Sequence, residues 1–244
     1  MKLIAEIGLN HLGSDASAIS LVKRCLKTEI DGITLQLQPE NYYNNTRNFR
    51  KKLKTETYKE ISTIIQKKRK MFGLALMNED TFSEFKDIKL DFIKILSTAF
   101  NNKNLIDIIY KRTKTFVSTG VANLREIQKL GNKYPKIDFI HTSLSNKIKD
   151  ANLLAISTLK KELNNDVSFG HHSIKNEVML GAVAHSPKNI FFYVKPNKKC
   201  YYPDNEHAIK INNLREIIDK IKLIKNSLGD GIKSKKKIPN WVFE

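Results

Sequence analysis

The sequence predicts a single-domain (β/α)8 TIM barrel, and three observations carry that prediction. Eight short apolar runs recur along the chain, each followed by a longer amphipathic stretch. The runs lack the polar/apolar alternation of a half-exposed strand, so they suit a parallel sheet covered on both faces. The length of 244 residues is that of one such barrel. Strands and helices alternating at this spacing imply right-handed βαβ units, and eight repeats favour a closed ring over an open doubly wound sheet.

Strands are predicted at Lys2–Gly8, Gly32–Leu37, Phe72–Met77, Phe92–Leu96, Thr115–Ser118, Asp138–Thr142, Val167–Gly170 and Ile190–Val194. Each is short and rich in Ile, Phe, Leu or Val. The intervening helices are predicted at Ser14–Glu29, Thr55–Lys70, Asp80–Ile88, Lys103–Arg112, Ala122–Asn132, Ala151–Leu163, Asn176–Ser186 and Asn212–Ser227. In the first of these, Ala18, Leu21, Val22, Cys25 and Leu26 recur on one helical face, and Ser14 is placed to cap it. Two stretches break the rhythm, Pro39–Lys54 after the second strand and Lys195–His207 after the eighth. Loops of this length are usually functional or disordered, and the first lies on the catalytic face of the barrel. Residues 1–228 are read as the barrel and 229–244 as a linker-like tail.

The formal charge is +18, yet only seven of the 43 basic residues are arginine. Lysines scattered over most helices do not resemble the planar, bidentate recognition of phosphate that favours arginine, and no nucleic-acid motif accompanies them. No nucleic-acid partner is therefore expected, although the field would favour a small anion. The run Lys233–Lys237 is read as a solvated segment. No apolar stretch reaches membrane-spanning length, and Glu6 interrupts the N-terminal one, so neither a membrane span nor a signal peptide is expected. Cys25 and Cys200 form no metal or redox spacing, which fits a reducing, cytoplasmic setting.

The strand ends carry motifs. Ala5-Glu6-Ile7-Gly8-Leu9-Asn10-His11-Leu12-Gly13-Ser14 resembles the opening of the sialic acid synthase family, which includes the legionaminic and pseudaminic acid synthases. Asp91 to Ser97 resembles the fourth strand of that family, Val117-Ser118-Thr119-Gly120-Val121-Ala122 the fifth, and Ile140-His141-Thr142-Ser143 the sixth. Asp150 to Ile156 resembles the sixth helix, and Phe169-Gly170-His171-His172-Ser173 the seventh strand. Tyr202-Pro203-Asp204 is similar to the Gly-Pro-Asp after strand eight, and Leu228 to Lys233 to the end of the barrel. The matches run in order over nearly the whole chain.

This resemblance implies condensation of phosphoenolpyruvate with an open-chain N-acylated hexosamine, or its phosphate, to a nine-carbon 2-keto acid for surface glycans, with a divalent metal such as manganese or magnesium. Cations and hydroxyls would hold the enol phosphate, and the metal would polarise the sugar aldehyde. By resemblance, Glu6 and His172 are candidate catalytic residues. Asn10, His11, Lys94, Ser97, Ser118, Thr119, Ser143 and Asp204 are candidates for substrate binding. His172 is the candidate metal ligand, with His207 a possible substitute. The resemblance also implies a homodimer and a C-terminal antifreeze-like domain, which the tail is not expected to supply.

Five positions depart from the family pattern. Thr34 stands for a phosphate-binding lysine, Ala99 for a carboxylate and His171 for an aspartate. On strand eight, Phe192 and Val194 stand where a carboxylate and the second metal histidine would be. Metal binding is therefore expected to be weak or absent, because a divalent cation needs several convergent ligands. Two readings stay open: a synthase with a rearranged site, and a catalytically inactive barrel that binds a sugar, a phosphate or a partner protein. A third, Schiff-base chemistry at Lys94, lacks an evident supporting acid. The plainer roles are an internal Glu6–Lys94 ion pair, a hydrogen-bonded strand-end His172 and a loop-bracing His11.

Overall fold

A computed structural model describes residues 1–45 and 51–235. Eight parallel strands pair in sequence order, and β1 (Lys2–Gly8) pairs with β8 (Asn189–Lys195), which closes the ring. The others are β2 (Gly32–Gln36), β3 (Met71–Leu76), β4 (Phe92–Ile95), β5 (Lys114–Ser118), β6 (Asp138–Thr142) and β7 (Val167–His171). The predicted barrel is thus the observed one, and every strand boundary falls within one residue of its expected place.

The helices are shorter than their patterns. Helix α1 spans Asp15–Cys25, with Ser14 Oγ accepting from the Ser17 amide as its cap, and it buries Ala18, Leu21, Val22 and Cys25. Helices α3 (Thr55–Lys67), α4 (Glu79–Glu84), α5 (Lys103–Tyr110), α6 (Leu124–Lys133), α7 (Leu154–Glu162), α8 (Asn176–Val183) and α9 (Leu214–Ser227) complete the outer layer. Helix α6 starts at Leu124 because Asn123 and Glu126 form a reciprocal capping box there. Helix α7 starts late because Ile148–Ala151 forms a 3-10 turn that ends on left-handed Asn152. Two short elements were not predicted by the sequence pattern: α2 (Glu40–Tyr43) in the first long loop, and β9 (Ile209–Lys210), just after the second, which pairs with β8. Part of the first loop, the last residues of the lysine run and most of the tail lie outside the described residues. No helix among the described residues is long and apolar enough to cross a membrane.

Two cores result from strand alternation. Outward-facing Ile33, Leu35, Ile93, Val117, Phe139 and Phe192 join the large layer under the helices. Inward-facing Ile4, Phe92, Phe116, Ile140 and Phe191 form a separate plug inside the barrel. Its rings meet edge-on, Phe92 to Phe116 at 5.3 Å and Phe116 to Phe191 at 5.2 Å. The plug needs room on β3, which Gly73 gives: a Cβ there would lie 2.3 Å from the Phe92 ring. Gly73→Ala is therefore expected to cost about 1–3 kcal/mol, the range for overpacking a filled core. A lower urea midpoint with an unchanged slope would verify it; an unchanged midpoint would show that the plug has slack.

Candidate functional site

One alternation above the plug, each strand turns a second side chain inward. Glu6 follows Ile4, Lys94 follows Phe92, Ser118 follows Phe116, Thr142 follows Ile140 and Tyr193 follows Phe191. Thr34 joins them from β2, in register with Glu6. An apolar floor thus carries a polar layer at the C-terminal mouth, where barrel enzymes hold their chemistry.

A Glu6–Lys94 ion pair forms the centre of that layer. Lys94 Nζ lies 2.5 Å from Glu6 Oε1, and the two residues are 3% and 1% exposed. Thr34 Oγ1 donates to the same oxygen at 3.4 Å, while Glu6 Oε2 has no partner. Lys94 Nζ also sits 5.5 Å and 5.7 Å from the ring centres of Phe191 and Tyr193. Above the pair opens a cavity of about 310 Å3, with Gln36, Gln38, Ser97, Ser118 and Thr142 among its lining residues.

The far wall is aromatic. His172 and His207 stack with centroids 4.9 Å apart and planes at 29°, and Tyr193 meets them edge-on at 5.6 Å and 5.1 Å. Burial is the main cause holding His172 well below the ordinary imidazole range, with the charges of His207 and Lys94 adding to it. His207 is lowered to about 4, again chiefly by burial. Asp204 is pushed up to about 7 by burial and by the charge of Glu6, which outweigh Lys94 and the Asn10 hydrogen bond. The loop carrying Asp204 is clamped by Asn10, whose Nδ2 donates to the Val194 carbonyl and whose Oδ1 accepts from the Asp204 amide. Gly8 makes the close approach possible: its φ is +55°, and a Cβ would meet Tyr193 at 2.7 Å and Asp204 at 2.8 Å.

Of the predicted residues, Lys94, Ser97, Ser118, His172 and Asp204 line one cavity, with Glu6 beneath Lys94. His11 does not join them. Its Nδ1 accepts from the Gly13 amide, and it lines a separate cleft beside α1. Thr119 and Ser143 also stand outside, in a cleft between the β5 and β6 loops. Thr119 Oγ1 donates to the Ile140 carbonyl, and Ser143 Oγ accepts from the Ser145 amide.

Two placements on β8 are corrected. Phe192 and Val194 face the helix layer, and the inward positions belong to Phe191 and Tyr193. Ala99 likewise packs in the outer core, in a 3-10 turn, and does not reach the mouth. Thr34 does face inward. His171 points away from the mouth and lies against Phe169; both its ring nitrogens lack partners, and burial lowers it to about 4. Tyr193, Gln36 and Gln38 were not foreseen; counting in twos from Gly32 and Phe191 would have found Tyr193 and Gln36.

The donor set does not fit a divalent cation. His172 and His207 stack, His207 Nε2 is 3.9 Å from Asp204 Oδ1, and no group of three or more His, Cys, Asp or Glu side chains gathers at ligating reach among the described residues.

Fold and mouth together define a parallel (β/α)8 barrel with a buried, polar, C-terminal cavity. The NeuB family matches residues 22–233, and the chain belongs to that family. It is 26% identical to the pseudaminic acid synthase of Campylobacter jejuni subsp. jejuni strain 81-176, over 94% of this chain and 75% of that protein. It is 25% identical to the N,N'-diacetyllegionaminic acid synthase of the same species, over 96% of this chain and 79% of that protein. The fold is shared with the N-acetylneuraminic acid synthetase of Leptospira borgpetersenii serovar Hardjo-bovis, with a TM-score of 0.87, 22% identity and coverage of 96% and 87% of the two chains.

Two predictions follow from the electrostatics. Lys94→Met strands the Glu6 carboxylate in the interior and should cost about 3–5 kcal/mol, whereas adding Glu6→Gln should restore most of it. Urea unfolding of single and double variants measures this; equal losses in both would show that the pair is not coupled.

His11, His171 and His207 are lowered from 6.5 to about 4, so the unfolded chain binds more protons between those values. Stability should therefore fall as pH drops from 6.5 towards 4, by about 1.4 kcal/mol per unit for each histidine. Asp204, raised to about 7, opposes this, because the folded state keeps its proton. Three histidines outweigh one carboxyl. His171→Phe should flatten the slope of the melting temperature against pH; an unchanged slope would refute the assignment.

Proposed function

We propose that this NeuB-family barrel binds an N-acylated amino sugar in its mouth cavity and does not carry out the metal-assisted condensation with phosphoenolpyruvate. One observation carries the reading: Lys94, the one lysine among the cavity's lining residues, is already paired with Glu6 at 2.5 Å. Asp204 beside that pair, raised to about 7, is partly ionised at neutral pH, so the floor carries no net positive charge. A multiply charged enol phosphate entering it would lose its hydration without gaining an opposing charge. A neutral polyol suits the lining better, since the Gln36 and Gln38 amides and the Ser97, Ser118 and Thr142 hydroxyls both donate and accept.

In this reading Glu6 and His172, the expected catalytic pair, orient ligand and neighbouring side chains instead of reacting. Neither manganese nor magnesium is assigned a role. The setting remains the cytoplasm and the metabolism of surface glycans. The family reaction is the second reading, favoured by the convergence of Lys94, Ser97, Ser118 and His172 on one cavity.

Calorimetric titration with N-acetylmannosamine and related N-acetylhexosamines, followed by phosphate-release assays with phosphoenolpyruvate and manganese, separates the two. The expected result is saturable sugar binding, weakened by Gln36→Ala and His172→Ala, with no phosphate release. Manganese-dependent release of phosphate that is abolished by His172→Ala would establish the second reading. Failure of every sugar to bind would end the first.

A further inference from the structure

A second cleft, of about 540 Å3, lies outside the strand ring between the start of α1 and the loop that follows β8. Asn10 and the Asp204 loop it clamps stand between this cleft and the mouth. The feature that marks the cleft is His11. This side chain is 1% exposed and lines the cleft, and its Nε2 has no partner. Because Nδ1 accepts from the Gly13 amide at 3.0 Å, the ring proton resides on Nε2. Burial keeps the ring neutral near pH 7. The result is a buried N–H donor without an acceptor, a state that folded proteins rarely leave unanswered.

Other donors surround it. Ser14 Oγ occupies the Ser17 amide, but the amides of Asp15 and Ala16, in the first turn of the 11-residue α1, have no helical acceptor. Arg24, which also holds Asn212, and Lys198 border the cleft with the hydroxyls of Ser17 and Ser20. The Asp15 carboxylate, whose charge also acts on the His11 ring, accepts from the Lys54 amide at 3.2 Å and from Thr57 Oγ1 at 2.7 Å. Donors and positive charge thus gather in a cleft whose lining holds no carboxylate.

We propose that this cleft is a binding site for a phosphate group, taken either as inorganic phosphate or as the phosphomonoester of a small metabolite. His11 Nε2–H and the first-turn amides of α1 contact the oxygens, and Arg24 and Lys198 supply the charge. The Pro196–Tyr202 segment forms one wall of this cleft, and Asp204, which lines the mouth, lies just beyond it. A ligand here would hold one wall of both spaces.

The test is a titration of the full chain with inorganic phosphate and, separately, glycerol phosphate, followed by NMR of the histidine side chains. A saturable shift of the His11 Nε2–H signal is expected. His11→Phe and, as a variant remote from the buried loop, Arg24→Ala with Lys198→Ala should each weaken binding about tenfold, the loss of a charge-assisted contact. Ser97→Ala, in the mouth, should leave it unchanged. Tighter binding of the ester identifies the metabolite as the source, and equal binding identifies the free ion. A linear, unsaturated response, or binding that depends on Ser97 and not on His11 or Arg24, overturns the proposal.

Discussion

Strand alternation inside a closed ring is the constraint from which the rest of this structure follows. Each inward position lies two residues from the next, so the Ile4, Phe92, Phe116, Ile140 and Phe191 plug determines which residues stand above it. The polar layer is then pressed against aromatic rings and shielded from water, where an unpaired charge is costly. Glu6 and Lys94 lie on strands that are not neighbours in the ring, yet they meet at 2.5 Å across the interior. Their pairing is the condition on which a glutamate and a lysine can share that depth.

The same shielding neutralises the remaining ionisable groups. Burial lowers His172 and His207, and with Glu6 it raises Asp204 towards neutrality. A chain with a formal charge of +18 therefore encloses a mouth with no net positive charge. The outer field concentrates anions near the surface, but the mouth offers them few free cations. The donor-rich cleft beside α1 lies outside the ring. The division of labour proposed here, a neutral sugar within and a phosphate at the flank, follows from where the barrel allows charge to remain unpaired.

The fold was legible because eight buried strands and their helices each carry a period long enough to count. The site was legible only in part. Glu6, Lys94 and Ser118 stand where polar residues interrupt apolar strands, and here each interruption marks an inward position near the mouth. In β8 no such mark exists: Phe191, Phe192, Tyr193 and Val194 are all apolar or aromatic, so a reading by motif slips by one residue without any sign of error. Thr119 and Ser143 illustrate a different limit. Past a strand end the backbone turns, and a hydroxyl's direction depends on hydrogen bonds to Ile140 and Ser145 that no residue pattern announces. The short α2 and β9 are too brief to show a period at all.

Correcting β8 by one residue also changes the meaning of the site. With Phe192 and Val194 at the mouth, strand eight would present only aliphatic and aromatic filler, and the cavity would have a bare wall. With Tyr193 there, one ring contacts His172 and His207 and lies under the Lys94 ammonium. Burial, with the charges of Glu6 and Asp204, holds its phenol well above the usual range, so it stays protonated. A protonated hydroxyl beside two neutral imidazoles and a carboxyl raised to about 7 makes a wall that can exchange hydrogen bonds with a ligand. Among the described residues the same side chains that build this aromatic wall, His172, Tyr193 and His207, pack against one another where no three ligating groups gather.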